Sequence, residues 1–189
     1  MKTRLLVFNF IMATAIIALS CSSDDNPVPV NEEEVITTMT LTLVPQGGGD
    51  NVVLQTRDLD GDGPNPPVVT VSGDFSSNTS YDGSIVLLNE TESPAEDITE
   101  EVEEEADEHQ FFFQLGGTID VTAAYADTDD NGNPIGLSFT LSAGDASNGT
   151  LTVILRHQPD KDATGVSDGD ITNAGGETDI EQTFQVSIQ

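Results

Sequence analysis

Bases are nearly missing from this chain. Five lysines and arginines stand against 34 aspartates and glutamates, for a formal charge of −29. A surface this negative repels phosphate backbones and anionic head groups, which excludes nucleic acid as a partner. Tryptophan is absent, and the one cysteine, Cys21, allows no internal disulfide. No P-loop and no H-E-x-x-H occurs, so no familiar phosphate cradle or zinc-protease helix is encoded. Apolar runs long enough to span a bilayer, about 20 residues, are also missing.

The longest apolar run lies at the start, where residues 1–20 have the three parts of an export signal. Lys2 and Arg4 come first, an apolar stretch runs from Leu5 to Leu19, and small residues, Ala18 and Ser20, precede Cys21. The segment resembles a lipobox, with Leu19 one place nearer the cysteine than usual. Cys21 is therefore the expected lipidation site; the alternative is ordinary secretion with a spare thiol. Each buried acyl methylene contributes about 0.8 kcal/mol, so two or three chains hold a protein firmly to a membrane. Ser22, Ser23, Asp24 and Asp25 follow. They resemble the acidic signal that sends lipoproteins of Bacteroidota to the outer face of the outer membrane; a periplasm-facing anchor is the alternative. Without residues 1–20 the only bases left are Arg57, Arg156 and Lys161.

Residues 21–34 are polar, carry two prolines and show no apolar period, as expected of a flexible acidic tether. Residues 35–189 suffice for one domain with a proper core. Apolar residues there alternate with a period of two, the pattern of half-buried strands. Strands are predicted at 35–44, 51–57, 67–72, 79–89, 109–115, 119–126, 135–142, 149–157 and 178–189. In the first, Val35, Met39, Leu41 and Leu43 share a face; in the third, Val69 and Val71 do. One segment changes period. Ser93, Pro94 and Glu96 suit a helix start, and Ala95, Ile98, Val102 and Ala106 recur at helical spacing. An acidic amphipathic helix is predicted over 94–107, a disordered acidic insert being the alternative. Acid at its C-terminal end opposes the helix dipole and calls for a cation there. About nine short strands and one helix, with no βαβ rhythm, predict an all-β fold: an antiparallel β-sandwich of immunoglobulin-like architecture.

Four constellations could carry chemistry. Asp58, Asp60 and Asp62 alternate around glycines as in the opening of a calcium loop, though position twelve is Val69 rather than a bidentate acid. Asp127, Asp129 and Asn131 form a second oxygen-rich turn. The stretch 158–177 contains Asp168 and Asp170 among many glycines, and is either a cation- or partner-binding loop or a surface loop. All three are calcium candidates, and each also reads as an ordinary acidic turn. The fourth is the only histidine pair. His109 opens one predicted strand and His157 ends another, each in phase with its inward-facing residues. If the two strands pair antiparallel, both imidazoles meet at one end of the sandwich with Glu105 near. Such a set suits zinc or copper; the alternative is two separate rim histidines.

Residues 89–113 and 151–181, with the 36–43 strand and the Asp58–Gly63 turn, resemble a group of short Bacteroidota lipoproteins of uncertain function. The group carries labels of type 1 periplasmic-binding fold or GTP cyclohydrolase. The first implies two α/β lobes, for which this chain lacks the rhythm. The second implies zinc held by cysteine and histidine, for which no free cysteine remains. The sequence thus points to a surface-anchored, non-enzymatic binding or accessory module with a protein or glycan partner. A metal-dependent hydrolase working through His109 and His157, and a subunit of a surface nutrient-uptake assembly, are the alternatives.

Overall fold

A computed structural model describes residues 34–61 and 63–189. The expected leader, Cys21 and nearly all of the expected tether lie outside the described residues, as does Asp62. Among the described residues no helix is long and apolar enough to cross a membrane.

The architecture is the expected antiparallel β-sandwich. Its larger sheet orders β3(Val68–Val71), β2(Val52–Arg57), β1(Thr38–Pro45), β4(Thr79–Asn89), β8(Ser138–Ala143) and β7(Val121–Tyr125), with the short β5(Glu96–Asp97) also on β4. Its smaller sheet orders β10(Glu177–Ile188), β9(Ser147–His157) and β6(His109–Gly117). Alternation explains the layers. In β1, Met39, Leu41 and Leu43 are fully buried between intervening threonines. Tyr81, Ile85 and Leu87 of β4 face the same core, opposed by Phe111, Leu151, Val153, Leu155 and Phe184 of the smaller sheet. Gly83 belongs to this inward row because the ring of its cross-strand partner Phe139 lies about 2.5 Å from where a Cβ would stand.

The structure corrects the sequence reading at four places. Val35 is exposed, since it precedes the first ladder pair, Thr38 with Arg57. Val69 and Val71 are exposed because β3 is the outermost strand of its sheet. The helix, α1, covers only Ile98–Glu104. Ser93 does not cap it; the Ser93–Pro94 peptide is cis, and Glu96 and Asp97 pair with Asn89 and Leu88 of β4 instead. Asp97 is the cap, accepting from the Thr99 N–H at 3.0 Å. Ile98 and Val102 face the core as the helical spacing requires. The cation called for at the acidic end is Lys161, whose ammonium donates to the Ala106 carbonyl at 2.5 Å.

The long segment after β9 folds back over the outer face of the smaller sheet. Two 3-10 turns, Val166–Asp168 and Ile171–Asn173, bring Val166 and Ala174 onto Phe112 and Ile154, a cross-strand pair. This gives the smaller sheet a second, compact apolar cluster.

Candidate metal centre

The register of β6 on β9 pairs His109 directly with His157. Residues directly opposite in an antiparallel ladder have Cβ atoms about 4.5–5.5 Å apart. The two imidazoles accordingly stack, with centroids 4.6 Å apart and planes 27° apart. Both are buried at the end of the sandwich where the sequence pattern places them.

A third strand adds a carboxylate through an irregularity. β10 pairs with β9 in steady register except between Thr178 and Ile180, where one extra residue, Asp179, is inserted. A bulge of this kind re-aims a side chain and is common beside functional sites. Here it turns the Asp179 carboxylate inward, with 0% side-chain exposure, to 3.8 Å from His109 Nε2 and 3.8 Å from His157 Nδ1. A fourth group arrives from the chain leading into β1. Glu34 has 7% side-chain exposure, with Oε1 at 3.1 Å from His109 Nε2 and Oε2 at 3.5 Å from His157 Nδ1. Glu34, expected at the end of the tether, is therefore folded into the body.

The outer nitrogens also face oxygens. His109 Nδ1 lies 3.1 Å from the Glu105 main-chain carbonyl, which can only accept, so this nitrogen donates. His157 Nε2 faces Glu108 Oε2 at 3.7 Å, and Glu108 is itself held by Gln158 at 2.8 Å. In a neutral His109 ring this arrangement leaves the Nε2 lone pair aimed at the Glu34 carboxylate, which is an acceptor too. Two acceptors close to 3.1 Å only with a proton or a metal ion between them. Glu34 Oε2 and His157 Nδ1 have no hydrogen-bond partner among the described residues.

The spacing suits an ion. Donors bound at about 2.0–2.1 Å to a tetrahedral ion stand about 3.3 Å apart, and the nitrogen–oxygen separations here bracket that value. Imidazole nitrogens backed by an oxygen on the far side are the usual arrangement of metal-bound histidine. Glu105 also belongs to the cluster. One ligand atom each from Glu34, Glu105, His109 and His157 fall within 4.8 Å of one another. The surroundings are strongly negative: burial, then the charges of Glu96, Glu34, Glu105 and Glu104, raise the Glu101 carboxyl above its ordinary value.

The calcium candidates are placed differently. Asp60 Oδ2 accepts from the Asn65 side chain at 2.7 Å, which holds its carboxyl below the usual range, and Asp58 Oδ1 accepts from the Asp60 N–H. Asp127 accepts from the N–H groups of Gly136 and Ser138. Asp129 accepts from the N–H groups of Asn131 and Asn133 and from Lys161. Asp168 ends the first 3-10 turn, and Asp170 caps the second by accepting from Thr172. Among the described residues only the histidine cluster gathers three or more acidic or imidazole ligands.

Of the transition-metal set read from the sequence, His109, His157 and Glu105 come together, while Glu34 and Asp179 were missed. No periodicity could have revealed Asp179, since the bulge exists only relative to β9. A surface cleft of about 630 Å³ adjoins the site, lined by Val35, Ile36 and Thr37 with Asp58, Asp60 and Asp179. Comparison with protein-family models, curated proteins and solved structures finds no match to this chain.

Proposed function

We propose that this protein is a membrane-tethered, non-enzymatic binding module that holds one transition-metal ion of the zinc or copper class. His109 Nε2, His157 Nδ1, Glu34 and Asp179 are the donors. The carrying observation is convergence: two imidazole nitrogens meet two buried carboxylates, and the His109 ring is backed by the Glu105 carbonyl. Imidazole favours zinc or copper over calcium, which takes oxygen donors. A buried set of four protein donors is the pattern of a closed site, whereas a catalytic ion keeps a position for water or substrate. That favours holding over hydrolysis.

The tether belongs to the same reading. Acylation at Cys21 and the acidic residues after it would carry the sandwich on the outer membrane, facing the surface. The bilayer is then the first partner, and a protein or glycan meeting the module from outside is the second. Mass spectrometry of native material tests the anchor: an acylated Cys21 is expected, and a bare thiol would remove it. Calorimetric titration of metal-free protein with zinc, copper and calcium tests the site. One zinc or copper ion per chain is expected, lost in His109→Ala and in His157→Ala. Binding unchanged in both variants would overturn the assignment.

A further inference from the structure

We infer that Glu34 is a closing ligand, so that capture of the ion docks the root of the tether onto the sandwich; this rests on the transition-metal reading above. The four donors are not held alike. His109, His157 and Asp179 sit on β6, β9 and β10, three adjacent strands of one sheet. His109 and His157 stand in a continuous ladder and Asp179 in a bulge flanked by paired residues, which makes them a three-donor face fixed by the sheet. Glu34 comes from outside any ladder. Val35 beside it is 57% exposed and Ile36 only partly buried. Among the described residues, the first backbone hydrogen bond tying this segment to the sheet is at Thr37, whose N–H donates to Leu88 at 3.0 Å.

The Glu34 side chain is therefore the principal tie for residues 34 and 35, and it reaches only the metal cluster. Its Oε1 meets His109, and its Oε2 has no hydrogen-bond partner among the described residues although the side chain is buried. An ion between the imidazoles and this carboxylate replaces an acceptor–acceptor approach with two bonds. Without the ion, only the two imidazoles remain among the described contacts to hold the carboxylate inward. The cleft lined by Val35, Ile36 and Thr37 has Asp179 in its wall, so a segment that swings out there opens the three-donor face to solvent. Metal-free protein then has an open site with a loose tether root, and metal-loaded protein a closed site with a docked root.

Hydrogen exchange at the Val35 and Ile36 amides of the full chain, with zinc or with chelator, tests this. Zinc is expected to slow exchange at these amides by about tenfold or more. Glu34→Gln should still bind zinc through His109, His157 and Asp179, more weakly, and should lose the slowing. Asp179→Asn should also bind more weakly but keep the slowing once saturated. Zinc binding to the wild type with unchanged exchange would refute closure and leave the metal site standing. Wild-type affinity and slowing in Glu34→Gln would refute Glu34 as a ligand. Absence of zinc binding to the wild type would remove both the site and the closure.

Discussion

Asp129 and Glu34 are both buried acids on a chain with almost no bases, yet they meet counter-charge by different routes. Asp129 has its own ammonium. Lys161 donates to Asp129 at 3.1 Å, to the Pro134 carbonyl at 3.0 Å and to the Ala106 carbonyl at 2.5 Å, using all three of its donors. Both side chains are almost fully buried. Glu34 has imidazoles instead, and among the described residues its ion pairs are to His109 and His157. A buried carboxylate is tolerated when paired and hydrogen-bonded. The Asp129 knot is complete within the chain and acts as a staple joining the long loop, the segment just after α1 and the turn before β8. The Glu34 cluster holds imidazoles where the Asp129 knot holds an ammonium, and the proposed metal reading rests on that difference.

The comparison breaks most sharply at Lys161. Lys161→Met should strand the Asp129 carboxylate and cost about 3–5 kcal/mol in chemical denaturation. Adding Asp129→Leu should recover most of the loss, because an apolar pair of similar volume often matches a buried ion pair. Zinc comes next. Free zinc at about a hundred times its Kd should stabilise the wild type by about 2.7 kcal/mol, and His157→Ala by nothing. The double variant at Lys161 and Asp129 should keep the zinc gain, since the two clusters share no residue.

Acid should separate the clusters further. Burial alone would raise the Asp129 carboxyl, but Lys161 and the N–H groups of Asn133 and Asn131 outweigh it and hold the group below its ordinary value. A depressed carboxyl stabilises above its unfolded pKa and loses that contribution as pH falls through the folded one. The loss proceeds at no more than about 1.4 kcal/mol per pH unit. Melts of metal-free protein should show this acid limb, and Asp129→Asn should flatten it. The smallest effect belongs to an exposed pair. Arg57 grips Glu90 at 2.6 Å and, with Thr38, holds its carboxyl at about 2. Solvent and salt screen such a pair, so Arg57→Ala should lower the melting midpoint slightly at low salt and not at all in high salt.

Much of the fold was legible in the sequence because strand alternation is local. Met39, Leu41 and Leu43, or Leu151, Val153 and Leu155, announce an inward face with no knowledge of partners. The histidine pair was legible for the same reason: each ring keeps phase with its own strand, and only the pairing of β6 with β9 had to be supposed. The helix start was misread because Ser93, Pro94 and Glu96 fit a local rule, while β4 claims the backbone of Glu96 and Asp97. Val69 and Val71 alternate like core residues, but edge position depends on strand order. Glu34 and Asp179 were hidden more deeply. One lies in an acidic run that reads as solvated tether, and the other owes its inward aim to a bulge defined against another strand.

The most direct measurement follows the imidazole nitrogens themselves by nitrogen-15 NMR as zinc is added to metal-free protein. The chain has only two histidines, so four ring signals carry the answer. The account predicts that His109 Nε2 and His157 Nδ1 shift together and saturate at one equivalent, while His109 Nδ1 keeps its proton on the Glu105 carbonyl. Ring signals that ignore zinc, or a shift at the opposite nitrogens, would contradict it.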